Sequence, residues 1–308
     1  MKLKKPNFWD YKYPNILAYL LLPVAFVVSK ISSLRLKVAN REIKIKTICV
    51  GNFYLGGTGK TSLSIEINKI LNERKLKSCF IKKFYKNQND EQELLKKNGK
   101  LFLSSSRKKA LKDAENQNYE IAVLDDGLQD KTIDYDVSIV CFNNINWIGN
   151  GFTIPAGPLR ESINNLKNYK NVFLNGNLEN LENIKNQIFK INSEINIHLG
   201  KYEAKNIDEF NKNENYLIFS GIGNHQTFVS MIKNYGLNIL KDLEFPDHYN
   251  YTAKDIDKIL SHADDLKCKI ITTEKDFLRL KNKNLNNINY IKSELKIIDK
   301  EKLIKAII

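Results

Sequence analysis

The chain has 308 residues, of which 42% are hydrophobic and 27% charged, a composition typical of a globular protein and not of a disordered one. Its formal net charge is +14, with 49 Lys and Arg against 35 Asp and Glu, which suits a partner that carries phosphate or an anionic surface. Zinc-finger spacing and aromatic RNP-type runs are absent from the sequence, so we expect no nucleic-acid partner.

An apolar run at residues 16–28, interrupted only by Pro23, follows the basic N-terminus. It is shorter than the ~18 apolar residues expected of a spanning helix, and three interpretations stay open: a buried core helix, an interfacial anchor and a marginal single span. Basic residues on both sides favour the interfacial anchor, because they suit anionic headgroups: Lys2, Lys4, Lys5, Lys30, Arg35, Lys37, Arg41, Lys44 and Lys46. The positive flank and four cysteines without a CxxC pair indicate the cytoplasmic side. The sequence therefore predicts a membrane-associated helical segment at 1–40.

From residue 43 onward, short apolar runs alternate with longer amphipathic ones, as in βα units around a mainly parallel sheet. Strands are predicted at 45–50, 78–82, 101–104, 121–124, 137–142 and 172–174, and helices at 61–75, 106–116 and 178–189. A polar stretch at 205–215 precedes a second set, with strands at 216–220 and 269–272 and helices at 226–235 and 253–266. We place the domain boundary in this stretch.

The strongest chemical motif is the glycine-rich run from Val50 to Ser62, which ends the first predicted strand and opens a helix. This is the context of a phosphate-binding P-loop, in which backbone N–H groups and the helix N-terminus face the phosphates. The strict pattern would have glycine where Tyr54 stands, and an ordinary strand-to-helix turn is the alternative. The predicted nucleotide ligands are Gly56, Gly57, Thr58, Gly59, Lys60, Thr61 and Ser62, with Lys60 also catalytic because it reaches the terminal phosphates.

Acidic residues follow the apolar strand predicted at 121–124, where a Walker B carboxylate belongs in a P-loop protein. A strand that simply meets solvent is the alternative. The predicted Mg²⁺ ligands are Asp126, as the first choice, then Asp125, with Thr61, Gln129 and Glu91 as further candidates. The sequence thus predicts ATP and Mg²⁺ as cofactors and an α/β fold. We expect a P-loop NTPase-like domain at 41–204, with helices on both faces of a mainly parallel sheet, and a smaller α/β domain at 205–308 that closes over the active site.

Several motifs in order along the chain resemble the tetraacyldisaccharide 4'-kinase family. Besides the phosphate loop they are Leu124-Asp125-Asp126-Gly127-Leu128-Gln129, Gly149-Asn150-Gly151, Pro155-Ala156-Gly157-Pro158-Leu159-Arg160-Glu161, Phe219-Ser220-Gly221-Ile222-Gly223-Asn224, Phe245-Pro246-Asp247-His248 and Thr273-Glu274-Lys275-Asp276. The resemblance covers about residues 8–279. It implies an ATP-dependent kinase of lipid A biosynthesis that phosphorylates the 4'-hydroxyl of a tetraacylated glucosamine disaccharide 1-phosphate. It also implies a peripheral protein, expected to be a monomer, at the cytoplasmic face of a bacterial inner membrane.

The resemblance also implies roles for single residues. Asp90 would act as the catalytic base, with His248 orienting it or tuning its pKa. Substrate binding would fall to Arg160, Glu161 and Asn150. From the residues alone, the acidic pair at Asp90 is as well described as a solvated turn in a polar loop, and His248 as a histidine satisfied by its surroundings. Arg160 could likewise be a surface charge at a helix start.

The sequence departs from the family pattern in three places. Lys82-Lys83-Phe84-Tyr85-Lys86-Asn87 stands where the family usually has a Ser-Arg-Gly-Tyr-Gly-like loop, and Asp130 and Tyr249 stand where it has histidines.

Two other classes of function are open. One is a regulatory membrane ATPase of the positioning type, but such proteins add an early lysine to the loop, and Phe53, Tyr54 and Leu55 stand there instead. The other is a binding module with a vestigial loop, which the intact Lys60, Thr61 and Asp126 disfavour.

Overall fold

Strands and helices alternate along most of the chain in a computed structural model that describes residues 5–33, 43–85, 88–280 and 287–308. The strands are β1 (Lys46–Gly51), β2 (Ser78–Lys83), β3 (Leu101–Ser104), β4 (Ile121–Asp125), β5 (Val137–Asn143), β6 (Asn171–Asn175), β7 (Asn196–Ala204), β8 (Asn215–Ser220), β9 (Asn238–Glu244), β10 (Lys269–Thr273), β11 (Ile288–Ile291) and β12 (Ser293–Ile297). The helices are α1 (Ile16–Ser33), α2 (Lys60–Glu73), α3 (Asn89–Asn98), α4 (Arg107–Asn116), α5 (Leu181–Ile191), α6 (His225–Asn234), α7 (Ala253–Asp265), α8 (Glu274–Arg279) and α9 (Lys300–Ile307). The predicted α/β class is confirmed.

The larger sheet has the strand order β12-β7-β6-β5-β1-β4-β2-β3. Every pairing from β7 to β3 in this order is parallel. All residues of β4 and β6 are buried, and because side chains alternate across a strand, both faces of the sheet centre must be covered. The phosphate loop follows β1 and the acidic pair lies at the end of β4, its direct neighbour, so the parallel arrangement brings both motifs to the same edge of the sheet.

A second, four-stranded sheet has the order β11-β10-β8-β9, again with parallel pairing throughout. Two apolar clusters pack on it. One joins Phe228 and Ile232 of α6 to Ile218 and Ile271 of the sheet. The other joins Ile256 and Ile259 of α7 to further strand residues. The α7 helix begins with a capping box at Thr252 and Asp255, which satisfies the first backbone N–H groups of the helix.

The chain divides into two compact units. The first comprises Met1–Gly200 and Ile297–Ile308, and the second comprises Lys201–Lys296. The predicted second domain at 205–308 differs from this division at its C-terminal end. In α9, Leu303, Ile304 and Ile307 are buried. Within the first unit, Ile298 N–H donates to Leu199 C=O at 2.9 Å, and Leu199 N–H donates to Asp299 Oδ1 at 3.0 Å.

The N-terminal apolar run forms α1, which extends to Ser33 and includes Pro23. Ala18 and Ala25, two turns apart, are buried, while the rest of the helix carries most of its large apolar side chains in solvent. Among the described helices, none combines the length and apolarity needed to cross a bilayer. Of the basic residues predicted to flank α1, five lie outside the described residues: Lys2, Lys4, Arg35, Lys37 and Arg41.

The sequence did not predict α3 or β9, because the residues of both elements are largely polar or exposed. The α3 helix begins Asn-Asp-Glu-Gln-Glu, and we expected a polar loop there. The structure instead places Asp90 and Glu91 in the first turn of α3, where acidic side chains face the positive end of the helix dipole. In β9 no residue is buried, because it is an edge strand. Neither segment contains the apolar run on which a sequence-based prediction depends.

Candidate active site

The phosphate loop connects β1 to α2 through a backbone that needs glycine at two points. Gly56 and Gly59 have φ values of 128° and 78°, and Gly59 is the residue that caps α2. Side chains with a Cβ rarely adopt these angles. Gly57 and Thr58 lie between them, and Lys60, Thr61 and Ser62 form the first turn of α2. The predicted nucleotide ligands therefore form one continuous turn at a helix N-terminus, the geometry that binds phosphate through backbone N–H groups.

Two buried asparagines hold this turn in shape. The Asn52 side-chain amide donates to Thr58 Oγ1 at 2.9 Å and to Gly56 C=O at 3.3 Å. Asn175, at the end of β6, donates to Thr58 C=O at 2.8 Å. Because both side chains are fully buried, these bonds do not compete with solvent and keep the loop preorganised.

Asp126 lies between two cations at the mouth of the loop. Its Oδ1 accepts from Arg160 Nη1 at 2.7 Å and is 4.0 Å from Lys60 Nζ. Burial acts to raise the pKa of Asp126, but Lys60 and Arg160 outweigh it, so the pKa lies well below its ordinary value. Asp126 is therefore ionised at any physiological pH. The same arrangement keeps two positive side chains at the mouth of the phosphate loop.

A buried ion-pair cluster lies next to Asp126. Lys82 Nζ is 2.6 Å from Asp125 Oδ2 and 2.7 Å from Glu91 Oε2, and the exposed fractions of the Lys82 and Asp125 side chains are 1% and 0%. The Thr61 hydroxyl donates to the same Asp125 oxygen at 3.2 Å. Burial favours the neutral form of Lys82, but Asp125 and Glu91 outweigh it and raise its pKa, so the lysine is charged. We name Lys82, Asp125 and Glu91 the Lys82 cluster.

The oxygen atoms at this edge of the sheet fit a magnesium ion. Asp125 Oδ1 is buried and accepts no hydrogen bond from the described residues. The Thr61 hydroxyl lies against the other oxygen of the same carboxylate. Hard oxygen donors of this kind are the ligands that Mg²⁺ prefers, and it usually binds one or two protein oxygens together with substrate phosphates. No three His, Cys, Asp or Glu side chains of the described chain converge as a complete metal cage.

The other metal candidates have different surroundings. Glu91 forms an ion pair with Lys82. Gln129 accepts from Arg160 Nη1 at 3.1 Å through its amide oxygen, and its amide nitrogen donates to Asn52 C=O and to Glu161 Oε1. The amide oxygen of Gln129, the only atom through which it could bind a metal, therefore already accepts from a guanidinium.

The loop that carries the predicted substrate residues is attached to the phosphate loop. Arg160 N–H donates to Phe53 C=O at 2.6 Å, and Leu159 forms an isolated bridge with Tyr54. Asn150 is buried, and its side-chain amide donates to Ala156 C=O at 2.9 Å, so it braces this loop from inside. Arg160 and Glu161 are partly exposed at its end and can meet a ligand.

The remaining predicted catalytic residues lie in different units. Asp90 is half-buried in the first turn of α3, in the first unit. His248 belongs to the second unit and follows β9 in a loop, with a φ of 56°.

Two residues of the site were missed from the sequence. Lys82 was noted only as a departure from the family pattern, although a lysine inside the otherwise buried β2 signals a buried ion pair. Arg107 donates to Asp126 C=O and forms an ion pair with Asp130 at 3.2 Å. Asp130, which stands where the family has a histidine, is therefore paired with Arg107 of this chain.

The chain matches known proteins over nearly its full length. The family model described as tetraacyldisaccharide-1-P 4'-kinase matches residues 17–308. A tetraacyldisaccharide 4'-kinase of Pelagibacter ubique is 58% identical over 100% of this chain and 98% of its own length. One from Rickettsia canadensis is 35% identical over 96% of this chain and 94% of its own. Among solved structures, a hydrogenase maturation factor HypB from Archaeoglobus fulgidus has a TM-score of 0.33 and 10% identity, covering 60% of this chain and 89% of its own, which is too low a similarity to carry an argument. On the family match and these relatives, the chain belongs to the tetraacyldisaccharide-1-P 4'-kinase family.

Proposed function

We propose that the chain transfers the γ-phosphate of ATP to the 4'-hydroxyl of a tetraacylated glucosamine disaccharide 1-phosphate, at the cytoplasmic face of a bacterial inner membrane. Family membership supports the reaction type and the lipid A precursor as the substrate. The observation that carries the proposal is the phosphate turn with Lys60, Asp125 and Asp126 at its open edge. Positive charge and oxygen atoms at this position would suit the terminal phosphates of a nucleoside triphosphate and its metal ion.

The nucleotide would bind with its phosphates against the N–H groups of residues 56–62. Lys60 and Arg160, both beside Asp126, would then neutralise charge on the transferring group. For Mg²⁺ we assign Thr61 and Asp125, because Asp125 has the unpartnered oxygen and Asp126 is held by Arg160. When bound, the ion would neutralise charge on the β- and γ-phosphate oxygens.

The acceptor hydroxyl needs a base, and we assign Asp90 on the family resemblance. Its carboxylate would take the proton of the 4'-hydroxyl while the oxygen forms a bond to the γ-phosphorus. The bond from that phosphorus to the β–γ bridging oxygen breaks, and ADP leaves. The first turn of α3 suits this role, because Lys82 holds Glu91, the next residue, at 2.7 Å and so anchors the helix start. His248 would orient the base, which requires that the second domain close over the first during the reaction.

The decisive experiment follows labelled γ-phosphate from ATP to a tetraacylated disaccharide 1-phosphate in detergent micelles. We expect lipid-dependent transfer by the unaltered chain and its loss in Lys60→Ala, since Lys60 would lie against the terminal phosphates of the bound ATP. Lys69→Ala, which removes a charge further along the same helix, is the matched control. Hydrolysis of ATP stimulated by plain anionic vesicles, without transfer to the disaccharide, would contradict the proposal and support a regulatory ATPase.

Membrane association is the second part of the proposal, and α1 supports it. Large apolar side chains cover the exposed part of this helix, including Leu20, Phe26 and Ile31 with exposed fractions of 69%, 64% and 58%. Soluble monomers rarely expose such a continuous apolar patch. Lys30, in the last turn of the helix, can meet anionic headgroups.

Replacing Leu20, Val24 and Val27 together with Gln should lower the fraction bound to phosphatidylglycerol vesicles. These positions are spaced four and three residues apart and are exposed on one side of α1. Burying one such side chain contributes about 1.5–3 kcal/mol, so a loss of at least about tenfold in partition is expected. Leu240→Gln, on β9, is the control, because it removes an apolar side chain that is 45% exposed elsewhere in the chain. Equal sedimentation of the triple variant and this control would exclude α1 as the anchor.

A further inference from the structure

The Thr-Glu-Lys-Asp motif ends in a buried carboxylate. Asp276 has no exposed surface and lies in α8, directly after β10. Its Oδ2 accepts from the Thr273 hydroxyl at 2.6 Å, and its Oδ1 accepts from the Tyr251 hydroxyl at 3.0 Å and from Arg279 Nη1 at 2.9 Å. A buried carboxylate with this many donors holds its neighbours in fixed places. The proposed reaction gives this motif no task.

Arg279 carries the connection to another loop. The same Nη1 that bonds Asp276 also donates to the backbone carbonyl of Gly221 at 2.7 Å. Gly221 lies just after β8, in the Phe-Ser-Gly-Ile-Gly-Asn motif, and has little room around it. A Cβ on this glycine would come within 3.1 Å of Pro246 O, Tyr249 Cβ and Tyr251 Oη. The carbonyl of Gly221 is therefore held by a charged donor, and its Cα lies in a closely packed part of the loop.

The Gly221 carbonyl also accepts from the backbone N–H of His248, at 3.0 Å. His248 has a φ of 56°, in the left-handed region that residues with a Cβ adopt only at some cost. Surrounding contacts must therefore hold this conformation. The hydrogen bonds run in sequence from Asp276 to Arg279, to Gly221 C=O and to His248 N–H, and all four residues belong to the second unit.

We propose that Asp276 and Arg279 are positioning residues that fix the place of His248 through the carbonyl of Gly221. The inference rests on the proposed function only for the task of His248 in the reaction. It assigns the Thr-Glu-Lys-Asp motif a purpose, which is to keep the loop of a proposed catalytic histidine in one conformation. Neither positioning residue needs to touch the substrate.

The test is a double-mutant cycle in the phosphate-transfer assay with Arg279→Ala, His248→Ala and both together. Misplacing a catalytic group by about 1 Å can cost about 10²-fold in rate, so we expect Arg279→Ala to lower kcat by roughly 10- to 100-fold, with an unchanged KM for ATP. If Arg279 acts through His248, the double variant should differ from His248→Ala by no more than about twofold. Tyr251→Phe, which removes one bond to Asp276 and no charge, is the milder second variant, with a smaller loss of the same kind.

A spectroscopic arm does not depend on the reaction. In a chain with labelled histidines, Arg279→Ala and Tyr251→Phe should shift the Cε1–H resonance of His248, assigned by its absence from His248→Ala. The signals of His198 in β7 and His262 in α7 should stay in place. Lys254→Ala, which removes an exposed cation from α7, is the matched control and should shift nothing.

The outcomes separate this inference from the proposed function. Losses that multiply in the double variant, or a His248 signal that stays in place in Arg279→Ala, would overturn the inference. If His248→Ala is fully active while the His248 signal is shifted in Arg279→Ala, then His248 has no role in the reaction. The inference that Asp276 and Arg279 fix the place of His248 would still hold. We expect non-additive losses of kcat together with a shifted His248 signal in Arg279→Ala. Arg279→Lys keeps a cation that can donate to the oxygens of Gly221 and Asp276, so it should recover part of the activity and part of the signal position.

Discussion

Replacing Asp90 with Asn is expected to lower kcat for phosphate transfer by about 10²- to 10⁴-fold, the usual contribution of a general base. The amide has nearly the same shape as the carboxylate but does not accept the proton of the 4'-hydroxyl. The variant keeps Glu91 and its ion pair with Lys82, so the start of α3 should stay in place. Binding of ATP, measured by calorimetry without the lipid, should therefore be unchanged.

Glu93→Gln is the matched control for this prediction. Glu93 lies one turn further along α3, is exposed, and forms an ion pair with Lys96 at 2.7 Å on the same helix. The same change of carboxylate to amide should leave kcat unaltered there. If Asp90→Asn and Glu93→Gln transfer phosphate equally fast, Asp90 is not the base, and the proton must go to another group.

The central sheet could be predicted from the sequence because its strands are short apolar runs between amphipathic helices. The phosphate turn was also predictable, because glycines followed by Lys60 and Thr61 between a strand and a helix are typical of a phosphate-binding loop. The C-terminal segment was harder. Its α9 helix lies more than a hundred residues after the first-unit strands in the chain, yet Lys302 donates to Ile197 C=O of β7 at 3.1 Å. A contact between segments so far apart in the chain is visible only in the folded structure.

Side-chain partners at the site depend on strand register, which the sequence does not reveal. Ile81 of β2 lies opposite Leu124 of β4, so the next residues, Lys82 and Asp125, become neighbours. A shift of one residue would have turned the lysine to the other face of the sheet. Asp126 as the first metal ligand stays a prediction, and its ion pair with Arg160 is another contact between distant segments that the sequence does not reveal.

The departures from the family pattern become understandable through such contacts. Tyr249, in place of a histidine, donates from its hydroxyl to Asp255 at 3.1 Å and packs against Phe245 and Tyr251. It therefore braces the loop that contains His248. Asp130, the other such replacement, is bound to Arg107. In both places this chain has a structural contact where the family has an imidazole.

Replacing Lys82 with Met is expected to destabilise the first unit by roughly 3–5 kcal/mol, the cost of removing one partner from a buried ion pair. Met has a similar length but no charge, so Asp125 and Glu91 would face each other across an apolar side chain. Asp125 is completely buried and cannot regain water. For a unit of this size the loss corresponds to a fall in melting temperature of about 6–20 °C.

Lys83→Met is the matched control, because Lys83 is the next residue of β2 and points to the other face of the sheet. Its ammonium lies over the Tyr85 ring, 5.7 Å from the centroid. Adding Asp125→Asn to Lys82→Met should recover part of the lost stability, since the double change removes the unpaired charge as well as its partner. Equal melting temperatures for Lys82→Met and Lys83→Met would mean that the Lys82 cluster contributes nothing to stability. A loss of stability that the second change reverses would show that charge balance beside the phosphate turn, more than the packing of β2, selects lysine at this position.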